Sequence, residues 1–113
     1  MLIKKSEARK KQASPDCAVW EYEYPSKNFS FATSFINGRY PQEQKASNTK
    51  CEEVYYVISG SGKVHSDKGD FVINPGDLYF FEKGEIYWVE GKQLLLSIVN
   101  APAWTPEQHK IID

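Results

Sequence analysis

An all-β domain is the fold class this chain predicts. Strand-like runs recur at about the 8–12-residue spacing of sandwiches and barrels, and turn residues separate them. All seven glycines fall between these runs or, for Gly62, at the edge of one, so each reads as a turn residue and none as the interior of a strand. A chain of 113 residues is one domain, able to bury roughly two thirds of its unfolded surface.

The basic cluster Lys4, Lys5, Arg9, Lys10 and Lys11 stands against Glu7 alone, so residues 1–14 read as a solvated N-terminal segment. Ser14-Pro15-Asp16 marks a turn. In Val19 to Tyr24 aromatic and acidic residues alternate, so Trp20, Tyr22 and Tyr24 share one face of a strand. Phe29, Phe31, Thr33 and Phe35 share a face of the next, with Ser30, Ala32 and Ser34 opposite, and Asn37-Gly38 ends it. Residues 39–50 are polar, contain Pro41 and read as a loop. Strands are then expected at 52–58, 62–66, 70–74, 77–82, 86–90 and 93–99. Thr105, Pro106 and Gln108 stand at N-cap, N1 and N3 of a capping box, which predicts a short helical turn near 106–111. The domain divides into the segment 1–14, a barrel over 17–100 and a tail over 101–113. The aromatics, three Trp, seven Tyr and six Phe, are expected mostly in the core.

Composition narrows the function classes. A net charge of −1 and a pI near 6.1 give no electrostatic footing for nucleic acid. No apolar run approaches the ~20 residues that span a bilayer, and the first residues turn charged too soon for a signal peptide. Cys17 and Cys51 lack C-x-x-C spacing and read as reduced thiols of a cytoplasmic protein.

From Gly38 to Asn100 the chain resembles the cupins, small jelly-roll barrels also described as double-stranded β-helices. Glu53 and Gly60 match the Glu and Gly of that superfamily's first motif, and Gly76 and Gly84 match glycines of the second, with Glu82 at its proline. The resemblance implies a cupin-type barrel and a single cupin domain. The features Gly38-Arg39-Tyr40-Pro41, Asn48, Glu53, Tyr87-Trp88 and Pro102 to His109 also resemble a group of stand-alone cupins without an assigned activity. In metal-bearing cupins two histidines and a glutamate of the first motif, with one histidine of the second, hold Mn, Fe, Ni or Zn. Here the first-motif histidine slots fall on Ala46 and Asn48, or on Ser47 and Thr49, and the second-motif slot falls on Tyr87. Glu53 is the only ligand position retained. Catalytic zinc usually takes three protein donors. No cofactor is therefore expected, and a weak or adventitious divalent transition metal is the most such a set would hold.

Glu53 shares a strand face with Tyr55 and Val57. Buried among aromatics, it would have a raised pKa and suit general acid–base work or the gripping of a ligand hydroxyl; the plainer alternative is a structural carboxylate beside a Tyr or Arg39. Tyr87 is either a ligand-facing proton donor or acceptor, or a core aromatic. Asn48 either presents its amide to the ligand or shapes a turn. Tyr55, Trp88 and Tyr40 are expected to supply contact area, and Trp104 to lie near an opening. His65 and His109 have no partner at ligand or triad spacing.

Three functions follow in order. The first is a binding protein for a small polar or sugar-like molecule in a degenerate, metal-free pocket. The second is an isomerase or epimerase of a sugar-like or carbonyl compound, with Glu53 and Tyr87 as its catalytic pair. The third is a metal enzyme with unusual ligands such as Glu53, His65 and Cys51. A homodimer is expected from sheet packing.

Overall fold

The computed structural model describes residues 1–113. Its strands are β1 (Arg9–Ser14), β2 (Cys17–Tyr22), β3 (Ser30–Tyr40), β4 (Lys45–Asn48), β5 (Glu52–Ser66), β6 (Gly69–Ile73), β7 (Leu78–Phe81), β8 (Ile86–Ala101) and β9 (His109–Ile112). The only helical pieces are 3-10 turns at Lys5–Glu7 and Pro106–Gln108. All nine strands belong to one antiparallel sheet that curls on itself. β8 is its hub, pairing with β3, β4 and β5, while β1 and β2 extend the β3 side and β6 and β7 pair with β5.

Several sequence expectations are corrected. The N-terminal segment is not merely solvated, since Arg9–Ser14 pairs with β2. The loop assigned to 39–50 contains β4, and β3 runs on through Asn37-Gly38 to Tyr40. The helical turn near 106–111 closes after Gln108, and the chain continues as β9 along β4. Thr105 does not cap backbone; its hydroxyl accepts from the Gln108 side-chain amide at 3.3 Å. The edge of β4 left open by β8 pairs with the backbone that a longer helix would have used.

The glycines are also corrected. Gly38, Gly60, Gly62 and Gly91 lie inside strands. They mark where β3, β5 and β8 bend, with register shifts at Ile36/Gly38 and from Val57 to Ser61. A Cβ at Gly60 would run into the Gln93 carbonyl, and one at Gly91 into that of Ile36. Bending merges the two expected strand pairs 52–58/62–66 and 86–90/93–99 into the long strands β5 and β8.

Register decides what faces inward. Ser30, Asn100 and Glu53 share one inner row; Glu21, Ala32, Ile98 and Tyr55 share the next; Val19, Ser34, Leu96 and Val57 share the third. Ile36, Val57, Val64, Ile73, Val89, Leu94 and Leu96 are buried and fill one part of the barrel. Burying side chains of this size stabilises the fold by about 1.5–3 kcal/mol each. Nearer the Ser30–Asn100–Glu53 row, the floor is Ala13, Cys17, Ala32 and Ser34, all too small to meet the opposite wall, and a cavity results.

The complementary face points out. Phe31, Val99, Val54 and Phe80 form one outer row, with Thr33, Ser97, Tyr56 and Leu78 the next. Phe31, Phe35, Tyr56, Ile58, Leu78 and Phe80 are exposed. The expectation that aromatics mostly fill the core is therefore corrected: on β3 it is the Ser-Ala-Ser face that lies inside.

Candidate functional site

The cavity measures about 460 Å³ and opens beside β1 and the C-terminal strand, within the range of small-molecule sites. Glu53, Asn48, Tyr40, Tyr55 and Tyr87 all line it. Sequence reasoning named each of these five. Glu53, Asn48, Tyr55 and Tyr87 are buried. Glu53 reaches it from β5, Tyr87 from β8, Asn48 from β4 and Tyr40 from the end of β3.

Trp88 is corrected. Its alternation with Tyr87 on β8 turns it to the other face, where its indole lies 3.8 Å from the His65 ring and 3.9 Å from the Arg39 guanidinium. It does not line the cavity. His65 is held there too, with Asp70 at 3.0 Å from Nδ1 and Glu90 at 2.9 Å from Nε2. The ligand set Glu53, His65 and Cys51 therefore does not converge, because His65 faces outward.

Glu53 is the centre of the site. Its Oε1 accepts from the Asn100 amide at 2.7 Å and more weakly from the Asn48 amide at 3.5 Å. Its Oε2 is buried and has no partner. Burial pushes the carboxyl up to about 7, although the Asn100 hydrogen bond pulls the other way. Both protonation states are then available near neutrality. Glu85 is the contrasting case: it is also buried, but its carboxylate accepts from Ser66, Tyr79 and the Glu82 backbone at 2.6, 2.6 and 2.9 Å. With its acceptors filled, it ties β5, β7 and β8 together.

Tyr55 and Tyr87 are phenols held well above their ordinary value, by burial first and then by neighbouring acidic groups. They stay neutral and act as donors rather than bases. The Cys17 thiol, near Ser34, is pushed up to about 11 by burial and is inert as a nucleophile. Cys51 is buried behind Glu53, its sulfur 3.4 Å from the Asn100 amide.

His109 is the residue sequence reasoning missed. β9 pairs Asn48 with His109, so a histidine 61 positions away arrives in the cavity wall. Its Nδ1 is 2.8 Å from Asn48 Oδ1, and its Nε2 is 2.7 Å from the Tyr40 hydroxyl. Trp104 Nε1 donates to the same Asn48 oxygen at 3.0 Å. Asn100 was also missed, because nothing in its local sequence sets it apart from a strand-end polar residue. The Thr105-Pro106 start of the tail turn was the available pointer to His109, had it been read as the entry to a strand.

A metal of the cupin type does not fit these donors. At the expected ligand positions Ala46 has none and Asn48 Oδ1 is occupied by Trp104 and His109. Both His109 nitrogens are hydrogen-bonded, and no three His, Cys, Asp or Glu side chains form a cluster that could hold a metal ion. One free carboxylate oxygen is short of a transition-metal donor set.

No family model and no curated protein sequence matches the chain. Solved structures do. Streptomyces Pac13, described as a nucleoside dehydratase, superposes with a TM-score of 0.87 at 15% identity, over 100% of this chain and 93% of that one. Variants of Pac13 hold uridine. Ectoine synthase from P. lautus gives 0.76 at 18% identity over 100% and 91% of the chains. KdgF from Halomonas sp. gives 0.76 at 11% identity over 90% and 94%. At these identities the likeness shows the fold: the chain is a small cupin-type β-barrel.

Proposed function

We propose that this barrel binds a small, polar, hydroxyl-bearing molecule of sugar or nucleoside size, without a metal. The observation that carries the reading is Glu53: a buried carboxyl with one oxygen fixed by Asn100 and the other unpartnered. An unpaired buried polar atom costs ~1–3 kcal/mol, and a ligand hydroxyl in the cavity would remove that cost. The Tyr55 and Tyr87 phenols offer further donors, and Tyr40 and Trp104 offer flat walls for a ring. The uridine held by Pac13 variants supports a ligand of this size.

A thermal-shift screen of the full chain against sugars, nucleosides including uridine, and small hydroxy acids tests it. At least one compound is expected to raise the melting temperature, and Glu53→Leu is expected to weaken its binding at least tenfold, about 1.4 kcal/mol. A hit that Glu53→Leu leaves untouched, or no hit at all, contradicts the reading. Elemental analysis of protein purified without chelators should show no stoichiometric transition metal.

A second reading is an enzyme that isomerises or epimerises such a ligand. It is favoured by the Glu53 carboxyl lying at about 7, where it can both give and take a proton. Turnover of a screening hit by the wild type and its loss in Tyr87→Phe would establish it.

A homodimer is proposed on the outer face of β3, β8, β5 and β7. The rows Phe31–Val99–Val54–Phe80 and Thr33–Ser97–Tyr56–Leu78 carry no charge, so two copies could meet across a two-fold axis without like-charge repulsion. Wild-type protein should scatter light as a dimer at tens of micromolar, and Tyr56→Lys with Leu78→Lys as a monomer; a monomeric wild type contradicts this. We place the protein in the cytoplasm, where Cys17 and Cys51 remain the free thiols seen here.

A further inference from the structure

We propose that His109 serves as the proton acceptor of the cavity, working through the Tyr40 hydroxyl, opposite Glu53 as donor. This rests on the ligand-binding reading above and narrows its chemistry.

Hydrogen-bond logic fixes the state of the ring. An indole N–H can only donate, so the Asn48 atom facing Trp104 Nε1 at 3.0 Å is the amide oxygen. That same oxygen lies 2.8 Å from His109 Nδ1, so Nδ1 must carry a proton. The Asn48 amide nitrogen is thereby turned toward Glu53 Oε1. Burial, aided by the Lys11 charge, holds the imidazole below its ordinary value, so the ring is neutral at pH 7 and bears only that one proton. His109 Nε2 is then a lone pair, and the 2.7 Å contact is a Tyr40 hydroxyl donating to it. Asn48 and Trp104 are positioning residues: they set the tautomer that leaves the basic nitrogen facing Tyr40.

The cavity thus holds two proton-handling groups joined through Asn48. One is Glu53, whose free Oε2 carries the proton when the carboxyl is neutral. The other is the Tyr40–His109 pair, whose phenol oxygen can take a proton while passing its own to Nε2. A concerted transfer of this kind needs no free phenolate, which burial at Tyr40 opposes. Together the two groups can take a proton from one atom of a bound ligand, as the Tyr40 proton moves to His109, and give the Glu53 proton to another.

Nitrogen NMR of the full-length chain at pH 7.5 reads the tautomer directly. Expected is a neutral His109 with Nδ1 protonated and Nε2 bare, its Nε2 resonance shifting in Tyr40→Phe as the donated hydrogen bond is lost. A ring protonated on Nε2, or on both nitrogens, overturns the proposal. The acceptor role is read with nitrobenzisoxazole as probe, whose ring C–H proton passes to a base as its N–O bond breaks to give a cyanophenolate. At pH 7 His109→Gln should lower the protein-catalysed rate by about 10²-fold. A rate within about twofold of wild type for a variant with an unchanged circular dichroism spectrum overturns it. Ligand binding in the thermal-shift screen with no such dependence on His109 would end the relay and leave the binding reading standing. A His109-dependent rate with no screening hit would do the reverse.

Discussion

Glu53→Gln should erase a fall in stability that the wild type shows between about pH 4.5 and pH 7. The Glu53 carboxyl lies at about 7 in the folded chain against 4.5 when solvated. Between those values the folded state holds a proton the unfolded state has released, so stability declines as pH rises and levels off above the folded value. The displacement corresponds to about 3 kcal/mol. Below pH 4.5 both states are protonated and the term vanishes. Glutamine keeps an oxygen for the Asn100 amide and cannot ionise. Denaturant titrations from pH 4 to 8.5 should therefore show the two proteins diverging in the glutamine variant's favour as pH rises. Parallel curves would mean that Glu53 is ionised at little cost, and that its free oxygen is solvated.

Gly60→Ala is expected to cost at least about 3 kcal/mol and to disorder the bend of β5. Gly60 has φ +76° and its Cβ would overlap the Gln93 carbonyl, a backbone atom that no rotamer change can move. Gly84 separates the two contributions. It has φ +82° with nothing near its Cβ position, so Gly84→Ala should cost only the left-handed backbone term of about 1–2 kcal/mol. Thermal or denaturant unfolding of the two variants side by side checks this. Equal losses would show that β5 and β8 do not approach as closely as described.

The same bend explains part of what sequence could not show. Period-two patterning revealed the strands, and the resemblance carried by Glu53, Gly60, Gly76 and Gly84 implied the cupin-type barrel, but a glycine at a hairpin and a glycine where one strand crosses another look alike in a single chain. Gly60 and Gly91 therefore split β5 and β8 into four apparent strands. Face assignment failed on β3 for a related reason. Phe31 and Phe35 make the more apolar side, yet they are exposed on the outer face, while the small inner residues Ala32 and Ser34 line the cavity. Trp88 was misplaced by one step of alternation beside Tyr87.

The site was partly legible because Glu53, Asn48 and Tyr87 sit on motif positions with fixed geometry. Tyr55 followed from strand alternation with Glu53, and Tyr40 from the Gly38-Arg39-Tyr40-Pro41 feature of the resemblance. His109 did not, since its partners Tyr40 and Asn48 are 69 and 61 residues away and only the β4–β9 pairing joins them. A contact set by long-range pairing leaves no local spacing to read. Glu85 shows the converse, a buried carboxylate near the motif whose filled acceptors make it structural.

The ionisation of Glu53 in the ligand-free chain, followed by carbon NMR of its side-chain carboxyl, probes the heart of this account most directly. A midpoint near 7, unmoved by chelator, is the predicted result. A midpoint at or below the ordinary carboxylate value, or one that chelator shifts, would contradict a metal-free cavity built around a buried carboxyl with one oxygen free.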